Sequence, residues 1–201
     1  LQMARVIHSA ERHYRTMAWD GPDSWNHRAS HFFETTQQLR KHYGEGSRGI
    51  VWAHNTHIGD ARATDMSRFR QHNIGQLARE TLGTENVFAL GFATYQGTLL
   101  AGRQWGGTRL RMTKPRPPAG TAEFLKHQAS PQNTLFDFRD APEILQQQIG
   151  HRAAGVIYHP ERENPGNYVP SALSLRYDAL IFLPATTALT PMDPPASPGS
   201  P

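Results

Sequence analysis

Apolar residues recur three or four positions apart along residues 3–19, where Val6, Ile7, Ala10 and Tyr14 fall on one side of a helix with charges between them. Gly21-Pro22-Asp23 interrupts that period. Ser24 then stands where an N-cap would open a second helix, running to about Tyr43 with Trp25, Phe32, Thr36 and Leu39 on one face. Beyond Gly44 the period changes. Residues 49–53, Gly-Ile-Val-Trp-Ala, are a short continuous apolar run and predict a buried strand. Similar runs predict strands over 86–92, 134–138, 153–158 and 178–183, and helical spacing returns over 74–82 and 121–127. Residues 94–120, rich in Gly, Arg and Pro, read as one long loop.

Short apolar strands separated by helices or loops predict an α/β fold: a layered, mostly parallel sheet flanked by helices. Residues 1–190 make one domain of that kind. Residues 191–201 hold five prolines in eleven positions, so a disordered tail is expected there. The chain opens at Leu1 inside a helical pattern with no signal peptide, which predicts an incomplete domain and a cytoplasmic setting.

Composition narrows the function. Hydrophobic residues make up 37% of 201, enough for a core. The longest apolar run, 179–183, is far below the roughly 20 residues that span a bilayer, so no membrane partner is expected. Cysteine is absent, which excludes disulfides, thiol catalysis and thiolate-held metals. The net charge is +4, but the basic residues are scattered among acids rather than gathered in a stripe. The densest basic stretch, 109–116, reads as a solvated loop, and no nucleic-acid partner is expected.

Chemistry concentrates just after the 49–53 strand, where open α/β sheets place their ligands. His54-Asn55-Thr56-His57-Ile58-Gly59-Asp60 delivers two imidazoles three positions apart. An imidazole suits a base that takes a proton from water and returns it to a leaving alcohol. Asp60 could orient a histidine, and Arg62 could hold a carboxylate or an oxyanion. His8, His13, His42, His72, His127, His151 and His159 read as surface or loop residues. A structural role for the histidine pair, and a metal site completed by Asp60 or Asp65, both stay open at this point. No Gly-x-Ser-x-Gly elbow, P-loop or dinucleotide fingerprint occurs, so neither a serine nucleophile nor such a cofactor is expected.

The sixteen residues from Val51 to Met66 closely resemble the histidine loop of the erythromycin esterase family. Ala10-Glu-Arg-His-Tyr14 and Ser24-Trp-Asn-His-Arg28 resemble the helices before that loop. Asn73-Ile-Gly-Gln-Leu77, Gly91-Phe-Ala-Thr-Tyr-Gln-Gly-Thr98, Gly155-Val-Ile-Tyr158 and Tyr177-Asp-Ala-Leu180 follow in the family's order. The resemblance implies a metal-independent, cofactor-free hydrolase of a small-molecule ester, in characterised members the lactone of a macrolide antibiotic. It implies catalytic roles for His54 and His57, with Arg28, Asn55, Asp60 and Arg62 supporting them or binding substrate. It also marks two departures. Ala29 stands where the family usually has an aspartate after the arginine. The family's preceding half, with a Gly-Glu-x-x-His-Gly loop, has no counterpart here. The resemblance is to the C-terminal part alone, so impaired activity and contact with the absent half are expected, and a degenerate, non-catalytic module is the alternative.

Overall fold

A computed structural model describes residues 2–19, 21–44, 46–163 and 166–191. The proline-rich tail from residue 192 lies outside them. Two antiparallel helices open the chain, α1 (Gln2–Thr16) and α2 (Asp23–Tyr43). Ser24 does not cap α2. Pro22 occupies the capping position, and the Ser24 hydroxyl instead meets His13 Nδ1 at 3.2 Å, tying the helices together. Residues 49–53 do not form a strand. They pair with no strand among the described residues, and Ile50 is 94% and Trp52 96% exposed. An apolar run alone could not reveal whether a neighbouring strand was present to bury it.

The histidine loop follows as a single turn, α3 (Asn55–Ile58), two 3₁₀ turns and then α4 (Ile74–Leu82). Strand β1 (Leu90–Ala101) continues well into the stretch expected to be loop, and hairpins back as β2 (Leu110–Lys114). Gly97 makes this continuation possible. It sits at φ +126° where β1 passes from one partner to the other, and a Cβ there would lie 2.0 Å from the Thr186 carbonyl oxygen. Residues 109–116 are therefore mostly strand rather than solvated loop, with Met112 and Lys114 buried.

Helix α5 (Ala122–Ala129) and strand β3 (Thr134–Asp137) lie where the pattern predicts them. The strand expected over 153–158 is displaced: β4 (Gln148–Arg152) ends before it and pairs with β5 (Tyr168–Ala172). A short α6 (Leu173–Arg176) leads into β6 (Ala179–Thr186). The main sheet runs β2-β1-β6-β3 and the second is the β4-β5 pair. Among the strands of the described residues only β1 and β6 pair in parallel, so the α/β sheet is mixed rather than mostly parallel. Helical crossovers are what make sheets parallel; here hairpins make two of the connections.

The core fills the space between the main sheet, α5 and α6. Ala89, Ala93, Tyr95, Ala122, Phe138, Leu173, Tyr177, Leu180 and Phe182 are its buried members. A smaller cluster of Ala101, Met112 and Tyr158 lies under the β1–β2 hairpin. Tyr95, at the start of the stretch read as a long loop, belongs to the main core. Trp105 stays exposed and Arg103 is spent on Glu161.

Candidate active site

The histidine loop is held from below by close backbone packing. Gly75 lets α4 approach so closely that a Cβ would stand 2.1 Å from the Ile58 carbonyl oxygen. Asn73 caps α4 by accepting from Gln76 N, and its amide donates to the carbonyls of Thr56 at 2.7 Å and Gly59 at 2.6 Å. This one buried side chain fixes both ends of the turn that carries His57.

The two histidines differ in what their ring nitrogens do. His54 caps the turn: Nδ1 accepts from the Thr56 backbone N–H at 3.3 Å, while Nε2 lies 3.0 Å from the Ala154 carbonyl oxygen and must donate to it. Both nitrogens are engaged. Burial holds its pKa below 6.5; the Ala154 bond opposes that shift, and the charges of Arg176 and His151 add to it.

His57 has no such partners among the described residues. Its ring stacks on the Trp25 indole, with centroids 5.0 Å apart and planes 8° from parallel, and its Nδ1 is buried without a hydrogen bond. Trp25 is fixed in turn by donating Nε1–H to the His72 carbonyl at 2.7 Å. Burial, then the Arg28 guanidinium, then His54 lower the His57 pKa. The ring is therefore neutral near pH 7 and able to accept a proton.

Arg28 comes from the adjacent turn of α2 and lies over the Phe32 ring at 5.3 Å. Asn55 turns inward. Its amide donates to the Phe92 carbonyl at 2.6 Å and accepts from Phe92 N–H at 3.1 Å, pinning the loop to β1. Asp60 does not orient a histidine. Its carboxylate takes two bonds from Arg62, at 3.0 and 2.7 Å, and faces Arg79 at 3.6 Å. Arg62 is accordingly occupied, with Glu80 as a second partner at 3.5 Å, and its pKa is raised by Asp60. This pair sits in a cavity of about 370 Å³ with Tyr177 and Asp178, away from the imidazoles. A second cavity of about 300 Å³ lies between α1 and α2 and is not lined by His54 or His57 either. The structure thus brings together His57, Arg28, His54 and Asn55, and separates Asp60 and Arg62 from them. Among the described residues, no three His, Asp or Glu side chains converge as a metal site.

Four supporting residues were not visible from the spacing: Asn73, Arg176, His151 and Glu123. Arg176 is buried under the loop, donating to Ser171 Oγ at 2.7 Å and reaching the Asn55 carbonyl at 3.5 Å. His151, expected at the surface, is 1% exposed and bonded to Glu123. Asn73, His151 and Arg176 partner the loop directly and Glu123 backs it through His151, all at separations that no local period records.

Among solved structures, the chain is similar to a Bacillus cereus protein, at 18% identity and a TM-score of 0.69, over 83% of this chain and 40% of that one. It is also similar to a succinoglycan biosynthesis protein, at 18% identity and a TM-score of 0.68, over 84% and 40% of the two chains. A histidine mutant of the erythromycin esterase EreC in an open conformation matches at 16% identity and a TM-score of 0.60, over 87% and 41%. This chain thus spans about 40% of the length of those solved relatives. At such identities these likenesses show the fold. The family model for erythromycin esterase matches residues 1–186, nearly the whole described chain, and the protein belongs to the erythromycin esterase family.

Proposed function

We propose that the chain carries the histidine side of a carboxylic ester hydrolase in which His57 is the base. The observation that carries this reading is the contrast between the imidazoles: both nitrogens of His54 are committed, whereas the His57 ring is stacked in place with its nitrogens unbonded among the described residues. A water beside His57 Nε2 gives up a proton to it as the water oxygen bonds to the ester carbonyl carbon. The Arg28 guanidinium offsets the charge that develops on the carbonyl oxygen. As the tetrahedral adduct collapses, the carbon–alkoxy bond breaks and the imidazolium returns its proton to the departing alkoxide. His54 holds the turn. Asn55 anchors it, and Asp60 with Arg62 stiffens the segment that follows.

The substrate class in this proposal is a small-molecule ester, with a macrolide lactone, and hence antibiotic resistance, as its specific form. No metal takes part in it. The proposal includes a cytoplasmic setting; no described helix is long and apolar enough to cross a membrane. It also includes cooperation with the half of the family fold that lies outside the resemblance. Ile50 and Trp52 are the apolar surface which that polypeptide would cover. Joining this chain to the preceding half of a family member should raise hydrolysis of ester and lactone substrates; no gain would count against that cooperation.

One observation favours a second reading, a non-catalytic module. Ala29 is buried where the family usually carries an acid, so that position supplies no carboxylate next to Arg28. Ester turnover by the joined protein, abolished in His57→Asn, separates the two readings.

A further inference from the structure

A buried acid–imidazole pair lies behind the histidine loop. Glu123, in the first turn of α5, is 0% exposed, and His151, in β4, is 1% exposed. Glu123 Oε1 and His151 Nδ1 are 2.6 Å apart, and the same oxygen accepts from Arg152 N–H at 3.0 Å. Burying a carboxylate is costly unless it is bonded, and these two bonds offset that cost. Burial alone would push the Glu123 pKa up; the hydrogen bonds from the His151 ring and the Arg152 N–H help bring it down. The acid is therefore a carboxylate, and a carboxylate can only accept. His151 Nδ1 must carry the hydrogen.

The group opposite His151 Nε2 is a donor, Asn55 Nδ2 at 3.5 Å, and so assigns Nε2 as the acceptor. The Asn55 amide cannot be turned round, because Phe92 presents a carbonyl to its nitrogen and an N–H to its oxygen. One amide hydrogen goes to Phe92; the other faces His151. Two residues beyond β4, the Ala154 carbonyl takes the His54 Nε2 hydrogen. One stretch of chain, 151–154, therefore backs both residues at the start of the turn.

We infer that Glu123, His151 and Asn55 form a positioning relay, in which the buried carboxylate fixes the His151 tautomer and the tautomer locks the Asn55 amide against Phe92. The relay sets where the turn begins, and so where His57 points. It rests on the proposed function only for the consequence in catalysis; the relay itself is a structural statement with its own readout.

Two measurements test it. Long-range ¹H–¹⁵N spectra of the histidine-labelled chain at neutral pH should show His151 with hydrogen on Nδ1 and a bare Nε2. An Nε2–H tautomer would overturn the relay. Hydrogen exchange at the Phe92 amide should then quicken about tenfold in His151→Leu, which offers Asn55 no acceptor, while Leu180 in the core keeps its protection. His151→Gln, whose side-chain oxygen can reach Asn55, should hold Phe92 within about threefold of the parent. Unchanged Phe92 exchange in His151→Leu would overturn the proposal. If that variant does not fold, the tautomer of the parent chain decides alone. Absence of ester turnover in every variant, with tautomer and exchange as expected, would count against the hydrolase and not against the relay.

Discussion

The imidazole of His57 lies face to face with the indole of Trp25, 8° from parallel with ring centroids 5.0 Å apart. Trp25 stands on α2 and His57 on the single turn α3, so this stack is where the helical pair meets the histidine loop. It also explains how an imidazole without hydrogen-bond partners among the described residues keeps its direction.

Removing the indole should loosen that direction. Trp25→Ala forfeits the stack, worth about 0.5–1.5 kcal/mol beyond the area it buries, and the bond to the His72 carbonyl, worth about 1 kcal/mol. Trp25→Phe keeps the stack and loses only the bond. Urea midpoints should therefore fall in the order parent, Trp25→Phe, Trp25→Ala; equal midpoints for the two variants would show that the stack contributes nothing.

Arg28 tunes His57 through its charge. Burial is the larger cause of the lowered pKa, and the guanidinium is the next. With His57 as the proposed base, active when neutral, kcat/KM should rise with pH through a midpoint below 6.5. Arg28→Gln removes a charge that opposes protonation, and the midpoint should move up. A histidine NMR titration on the same variant checks the sign without any substrate. A midpoint that moves down would contradict this account.

Stability should respond to two buried lysines. Lys114 donates to Thr94 and to Thr186, and burial together with the Arg152 charge lowers its pKa to about 8. Burial likewise lowers Lys126, which lies 3.7 Å over the Phe136 ring, to about 8. Between pH 8 and 10 the unfolded chain, with lysines near 10.5, holds more protons than the folded one, so stability rises with pH there. Above 10 the buried Tyr158 and Tyr177 and the half-buried Tyr168, all with raised pKa values, reverse the slope. Urea unfolding from pH 7 to 11 should show that maximum, and Lys114→Met should flatten its rise.

The second sheet is tied to the first by Arg152. Its guanidinium donates to Glu163 at 2.6 Å and to the carbonyls of Thr94, Tyr95 and Pro115 at 2.9, 2.8 and 2.7 Å. Arg152→Met leaves Glu163 buried without its cation and should cost about 3–5 kcal/mol in chemical unfolding. Adding Glu163→Gln should recover part of that loss, which additive effects would not do.

What could be read from the sequence follows the range of the interactions. Helices α1, α2, α4 and α5 were legible because period and stop signals are local. Strand β6 was legible because its first half, with Ala179, Leu180 and Phe182 buried, is one continuous apolar run. The hairpin β1–β2 was not, since its second strand, Leu-Arg-Met-Thr-Lys, alternates in a stretch dominated by Gly, Arg and Pro. Residues 49–53 show the converse: an apolar pattern names a strand, but pairing needs a neighbour. At the site, the loop His54–Asp60 stood out by composition, whereas its division of labour did not. Asp60 lies close to His57 in sequence yet bonds Arg62 and Arg79, while Glu123 and His151, far away in sequence, stand behind Asn55.

The division of labour between the two imidazoles is measured most directly by pairing the same substitution at both. Asparagine at position 54 can still accept from the Thr56 N–H and so keep the turn. At position 57 it leaves no base. In the protein joined to the preceding half of a family member, ester hydrolysis should fall by about 100-fold or more in His57→Asn and by less than about tenfold in His54→Asn. Full turnover by His57→Asn, or a larger loss in His54→Asn, would contradict the assignment of His57 as the base.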